Sequence, residues 1–190
     1  MPCTPSAATT SIDPGSLVVR LMHDHEVAAV RRLVTRAYAG DFELSAEYLA
    51  QIEAVDERAR EHEVWVAVDA ATGALLGTVT TPRPGARLSP VAREGDELDF
   101  RFLGVAADAR GRGVGEALVR HVMALAAERG IRRVVLNTGP EMLAAQRLYD
   151  RLGFTRLPDR EHVFERPDGT SFLMLAYGRE VTARPAGARS

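Results

Sequence analysis

The stretch that most constrains this chain is the passage from strand to helix over residues 97–129. ELDFRFLGVA (97–106) reads as a strand, and the sequence turns helical by Glu116, running to Arg129 with Gly130 as its stop. Between them, ARGRGVG (109–115) packs three glycines among arginine and valine. Glycine admits backbone conformations closed to other residues, and its missing Cβ lets a ligand approach the chain closely. A helix N-terminus has unpaired N–H groups and a partial positive charge. The combination predicts an anion site, for a phosphate or pyrophosphate, on the backbone of residues 110–115, with Arg110 and Arg112 adding charge at its rim.

Two familiar phosphate motifs do not fit. The dinucleotide fingerprint G-x-G-x-x-G can use Gly111 and Gly113, but its last position is Glu116. The P-loop needs a lysine, and the chain has none.

The remaining sequence alternates elements. SLVVRLM opens as a strand, and DHEVAAVRRLVTRAYAG is a helix with Asp24 as its cap and Gly40 as its stop. SAEYLAQIEAVDERARE reads as one helix with Ser45 as cap. EVWVAVD and ALLGTVTT form a hairpin around ATG, and a Pro- and Gly-rich loop spans 82–96. After the glycine loop and its helix come a strand, RRVVLNT, and a helix, PEMLAAQRLYDRL. FTRL and a hairpin around PDG close the pattern. Two late helix crossovers after a run of strands predict an α/β fold, a mixed sheet covered by helices on both faces. Residues 17–178 are expected to form a single domain, with disordered tails at 1–16 and 179–190.

Composition narrows the function. A chain of 190 residues, 46% hydrophobic, can build a real core. A net charge of -2 gives no support for nucleic-acid binding by bulk charge. The single cysteine, Cys3, allows no disulfide framework or cysteine metal site. No secretory signal is recognisable and no apolar run approaches the ~20 residues of a membrane span, so a cytoplasmic protein free of membrane and metal is expected.

Arg110-x-x-Gly113-x-Gly115 after a strand, followed by RLYDRLGF (147–154), resembles the GCN5-related N-acetyltransferase family. The likeness is strong over 98–154 and spans roughly 17–178. It implies the family's fold, a central mixed and splayed sheet, with acetyl-CoA as co-substrate. Leu103, Gly104 and Val105 match the strand whose backbone pairs with the pantetheine arm. The backbone of Arg110, Gly111, Arg112, Gly113, Val114 and Gly115 would hold the pyrophosphate, with Val114 turned inward and Glu116 lending its N–H. Tyr149 matches the tyrosine that protonates the leaving thiolate, and the Val105 N–H would hold the oxyanion. Asn137 stands where some relatives carry a basic glutamate; as an amide it would contact pantetheine or water, or simply start the NTGP turn. Met142 replaces an asparagine common in the family.

The amine must lose a proton before attack, and no base is obvious. Glu97 and Asp99 alternate onto one face of their strand, with Leu98, Phe100 and Phe102 on the other. Either carboxylate could accept the proton, directly or through water, if that face lines the acceptor cleft; a solvated strand edge is the alternative. His23 and His25 read as polar helix-start residues, His121 as surface-facing, and His162 as a weak acceptor contact. The sequence thus points to transfer of an acetyl group from acetyl-CoA to a small-molecule or peptide amine in a ternary complex. Another acyl-CoA, or a CoA-binding sensor without catalysis, are the alternatives, and a homodimer is compatible. Tyr38, Phe42 and Tyr48, with Asp41, Glu43 and Glu47 nearby, hint at an acceptor site for a cationic amine with an apolar part.

Overall fold

The run ELDFRFLGV does not stay one strand. In the computed structural model, which describes residues 17–39, 45–93, 95–166 and 169–182, it divides at Phe100. Its first part, β4 (Glu97–Asp99), and its second, β5 (Arg101–Val105), go to different sheets. The first sheet has the order β1 (Leu17–Leu21), β2 (His62–Asp69), β3 (Leu75–Pro82), β5, all antiparallel. The second has the order β4, β6 (Arg133–Thr138), β9 (Ser171–Glu180), β7 (Thr155–Arg156), with β8 (His162–Glu165) also paired to β9. Among the described residues only the β4–β6 pair is parallel, with Glu97, Leu98 and Asp99 opposite Arg133, Val134 and Val135. Beyond that short ladder β5 and β6 have no pairing with each other, and the two sheets part.

A backbone irregularity accompanies the division. Phe102 has φ 56°, a conformation that a residue with a bulky side chain adopts only at a cost of roughly 1–3 kcal/mol. It also breaks the alternation. Phe100 enters one core with Leu118, Val122 and Tyr149, while Phe102 enters the other with Val30, Val34 and Tyr38. The expected common face for Leu98, Phe100 and Phe102 is therefore corrected: the bulge sends Phe102 to the opposite side.

Helices cover both faces. α1 (Val27–Ala39), α2 (Ala46–Glu53) and α3 (Val55–Glu61) close the core around Val30, Val34, Ile52 and Val55, all 0–1% exposed. α4 (Val114–Glu128) and α5 (Leu143–Arg151) cover the other core. The helix read over 45–61 is two helices, because Ala54 leaves helical geometry at ψ 50°. Ser45 caps α2 as expected, its Oγ accepting from the Tyr48 N–H at 3.2 Å. Gly77 on β3 is where α4 comes closest. A Cβ there would stand 2.9 Å from Val114 Cγ1 and 3.0 Å from Gly104 O, so no larger residue fits beneath the helix start. The final strand continues past the expected boundary at 178. Arg179 and Glu180 pair with β6, and the Val181 N–H donates to Arg132 O at 2.7 Å.

Candidate active site

The glycine loop sits where the sheets part. Gly111 and Gly113 take φ 74° and 80°, which only glycine adopts without strain. Gly113 is the N-cap of α4, and the first helical bond runs from the Ala117 N–H to Gly113 O at 2.9 Å. The amides just before Ala117 therefore have no intrahelical acceptor. A Cβ at Gly111 or Gly113 would meet nothing within 4 Å, so both glycines border open space. Gly115 is different: its Cβ would come within 3.2 Å of Leu148 Cδ2, and the position keeps α4 close to α5. Val114 is fully buried, facing inward as read. Glu116 is half-exposed and pairs with Arg120 at 2.8 Å.

The two arginines differ from the picture of a mobile rim. Arg110 reaches across to α1, its guanidinium donating to Ala37 O at 3.0 Å. Arg112 is half-buried, and its Nε is out of solvent without a hydrogen-bond partner. Arg110 thus ties the loop to α1.

Behind the loop, the edge of β5 that faces away from β3 has no strand partner. The Ala106 N–H donates to Leu76 O at 2.9 Å, toward β3. Strand alternation turns Gly104 the same way and directs the N–H and C=O of Leu103 and Val105 to the unpaired edge. The backbone of Gly104 is thus occupied by β3, and its missing Cβ serves packing, since a Cβ would lie 3.3 Å from Ala37 Cβ. Across the cleft, Asn137 donates from Nδ2 to Leu175 O at 3.2 Å, holding β6 to β9.

At the closed end of the cleft the two candidate carboxylates part company. Glu97 is sequestered: its side chain is fully buried, with Arg160 Nη1 at 2.7 Å, Arg133 Nη1 at 3.6 Å and the Arg93 N–H at 2.9 Å. Placed in that ion cluster, Glu97 serves the packing of the 83–96 loop against β6; as a candidate base it is withdrawn. Asp99 is also buried, but its company is neutral. It accepts from the Leu88 N–H at 3.0 and 3.1 Å and from Ser89 Oγ at 2.9 Å. Burial raises its pKa above the ordinary carboxylate range, against the pull of those hydrogen bonds. Neither carboxylate lies on a solvated strand edge. Tyr149 is 4% exposed, in a ring cluster with Phe100, Phe154 and Tyr177 at 5.8–6.0 Å between centroids. Burial pushes its phenol well above the usual tyrosine value, and the nearby Tyr48 adds to the shift.

Other residues at this end were not singled out from the sequence. A cleft of about 480 Å³ is lined by Arg58, Arg60, Leu88, Arg101 and Phe102, with Glu57 and Glu61 among its exposed residues. Tyr38 and Tyr48 meet edge to face, 6.2 Å between centroids. Phe42, Asp41 and Glu43 lie outside the described residues, and Glu47 is exposed. A basic helix face such as that of α3 reads as solvated surface, so nothing local marked Arg58. His121 is not surface-facing: its ring packs at a tilt against Trp65, 4.2 Å between centroids, and burial lowers its pKa. His162 is exposed at the start of β8. Among the described residues no group of His, Cys, Asp and Glu is arranged to hold a metal, and no helix is long and apolar enough to cross a membrane.

Comparison with known proteins bears on this geometry. The model of the acetyltransferase (GNAT) family matches residues 27–154, from α1 to the end of the RLYDRLGF segment. The chain belongs to the GNAT family. A mycothiol acetyltransferase from Cellulomonas flavigena is 34% identical over 152 residues, covering 76% of the chain and 42% of that relative. The glucosamine 6-phosphate N-acetyltransferase 1 of Oryza sativa subsp. japonica is 37% identical over 109 residues, covering 56% of the chain and 61% of that relative. This GNAT chain therefore spans less than two thirds of either. The structure of yncA from Salmonella typhimurium, solved with its cofactor acetyl-CoA, has the same fold, with a TM-score of 0.60 at 16% identity over 92% of the chain and 99% of that structure. The residues present here fit such a ligand on two counts. Gly111 and Gly113 border open space before the first α4 amides, which have no intrahelical acceptor, and Leu103 and Val105 offer an unpaired strand edge leading away from them.

Proposed function

We propose that this GNAT chain catalyses transfer of an acetyl group from acetyl-CoA to a primary amine, by direct attack in a ternary complex. The observation that carries the reading is the parting of the two sheets. It leaves the β5 edge without a strand partner, and β5 leads directly into the glycine loop and the first α4 amides, which have no intrahelical acceptor. The names of the relatives, a mycothiol and a glucosamine 6-phosphate acetyltransferase, support acetyl transfer to a small amine.

In this reading the 110–115 backbone holds the pyrophosphate, and Leu103 and Val105 pair with the pantetheine amides. The acceptor enters from the Arg101–Phe102 end. Its nitrogen adds to the acetyl carbonyl carbon, the Val105 N–H holds the resulting tetrahedral oxyanion, and collapse of that oxyanion breaks the carbon–sulfur bond and releases the thiolate. Asp99 takes the amine proton, directly or through water, and its raised pKa brings it nearer to neutral working pH than an ordinary carboxylate. Tyr149 stands under the thiolate. A phenol above its usual value of about 10 is a weak acid toward a thiolate of ordinary pKa about 8.5, so its hydroxyl stabilises the leaving sulfur chiefly as a hydrogen-bond donor.

The test is release of free thiol from acetyl-CoA with a panel of primary amines, with the acetylated product identified by mass. Turnover with at least one amine is expected. Tight CoA binding with no turnover across the panel would favour a CoA-binding sensor. Faster turnover with a longer acyl-CoA would reassign the donor.

A further inference from the structure

We propose that the acceptor carries an anionic oxyacid group, carboxylate or phosphate, and that Arg58 and Arg101 receive it in the cleft beside Phe102. The proposal rests on the acetyltransferase reading and names the class of its second substrate.

The two guanidiniums flank one ring. Arg58 Cζ stands 4.1 Å and Arg101 Cζ 4.7 Å from the Phe102 centroid. Phe102 is the residue at φ 56° where the sheets part, so both charges are fixed at the closed end of the cleft, next to Leu88, whose N–H holds Asp99. Stacking on an aromatic face orients a guanidinium and leaves its in-plane donors free.

Neither cation is balanced. Among the described residues no carboxylate forms an ion pair with Arg58 or Arg101, although Arg60 in the same cleft has Asp56 at 3.6 Å. Arg58 is 9% exposed. It donates from Nη1 to Gln51 O, and from Nη2 to Ile52 O at 2.9 Å, while its buried Nε has no partner. A guanidinium has five N–H donors, so most of its capacity remains unused. Burial and the neighbouring Arg101 lower its pKa to about 10, against the pull of Tyr38, Tyr48 and Asp56. A buried charge without a counter-ion is costly, and such clusters in clefts mark ligand sites. Glu57 and Glu61 also border the cleft, but both are exposed and neither pairs with the two arginines. They are available for the ammonium end of the same acceptor. A zwitterionic or phosphorylated amine matches this distribution, whereas a purely cationic amine would meet two uncompensated guanidiniums.

The experiment uses the whole chain saturated with CoA, so that the glycine loop is filled, and measures equilibrium binding by calorimetry. Matched probes differ only in the anion: an α-amino acid against its amide, and glucosamine 6-phosphate against glucosamine. In at least one pair the anionic member is expected to bind ten-fold tighter or more, and the pair showing the larger gap tells carboxylate from phosphate. Arg101→Gln should close that gap to within about two-fold while leaving the neutral member and the melting temperature unchanged. Arg58→Gln is the second variant, read with its melting temperature because Arg58 also holds the end of α2. Equal binding within both pairs, tighter binding of the uncharged members, or a gap that survives Arg101→Gln with the fold intact would each overturn the proposal. Because binding is read without turnover, these outcomes are separate from failure of acetyl transfer itself. A chain that acetylates uncharged amines as readily as anionic ones would keep its activity and lose this assignment.

Discussion

The two ends of the cleft are built by different means. The glycine-loop end is made of backbone: amides of consecutive residues at 111–116 and the free edge of Leu103 and Val105. The closed end is made of side chains from scattered elements. Asp99 comes from β4, Arg101 and Phe102 from β5, Arg58 from α3, Tyr149 from α5, Tyr38 from α1 and Leu88 from a loop. A phosphate group can be held by any backbone with the right dihedrals, so a short motif suffices. An acceptor is distinguished by shape and charge, which need groups converging from several directions. If this contrast is right, substitutions at one end should spoil CoA binding, and substitutions at the other should spoil turnover alone.

The sharpest separation is expected from Asp99→Asn. Turnover should fall about 10²–10⁴-fold, as for loss of one general base, with CoA affinity within a few fold of the wild type. The wild-type rate should also decline on the acid side at a pH above the ordinary carboxylate range, because burial raises the Asp99 pKa and the protonated form cannot accept the amine proton. Turnover, CoA affinity and melting temperature measured on one preparation decide it. Full turnover would leave Asp99 as a clamp on Leu88 and Ser89.

Gly113→Val probes the other end. CoA affinity should drop roughly 100-fold, equivalent to about 2.7 kcal/mol at about 1.36 per decade. Its Cβ meets nothing within 4 Å in the ligand-free chain, so the stability loss should be confined to the strain of φ 80°, about 1–2 kcal/mol. Gly115→Val should do the reverse. Its Cβ approaches Leu148 Cδ2 at 3.2 Å, so melting temperature should suffer before affinity does. Equal effects of the two substitutions on CoA binding would erase the distinction between loop and packing glycine.

Tyr149→Phe should lower turnover about ten-fold to 100-fold and leave CoA affinity and stability nearly unchanged, since only a hydroxyl is removed from the ring cluster. Unchanged turnover would make Tyr149 a packing residue. The smallest effect is a control that should touch neither end. Glu26, held by Arg20 at 2.7 Å and by the His23 N–H at 2.8 Å, has its pKa lowered from 4.5 to about 2. A lowered carboxyl contributes stability that is full above about pH 4.5 and is lost as pH falls through about 2. Glu26→Gln should therefore cost about 1–2 kcal/mol at neutral pH, with the gap to wild type closing between those values in denaturant melts at a series of pH. A gap independent of pH would mean that the side chain acts by packing.

The order of strands and helices, the glycine loop at the start of α4, and the family itself were legible in the amino-acid sequence. Each rests on information carried by neighbours in the chain: hydrophobic period, a positive-φ turn, a cap. Ser45 capping α2 and Val114 turned inward are such local decisions. What only tertiary structure decided begins at Phe102. Strict alternation placed it beside Phe100, and the bulge that separates them lies where one run of sequence is shared between two sheets. The fates of Glu97 and Asp99 were decided likewise. They share a strand face two residues apart, yet Arg160 and Arg133 enclose one while Leu88 and Ser89 enclose the other. Arg160 lies 63 positions from Glu97 in the chain, and Arg58 reaches Phe102 from a separate helix. A side chain's charge state and availability depend on what surrounds it in space, and no spacing along the chain records that.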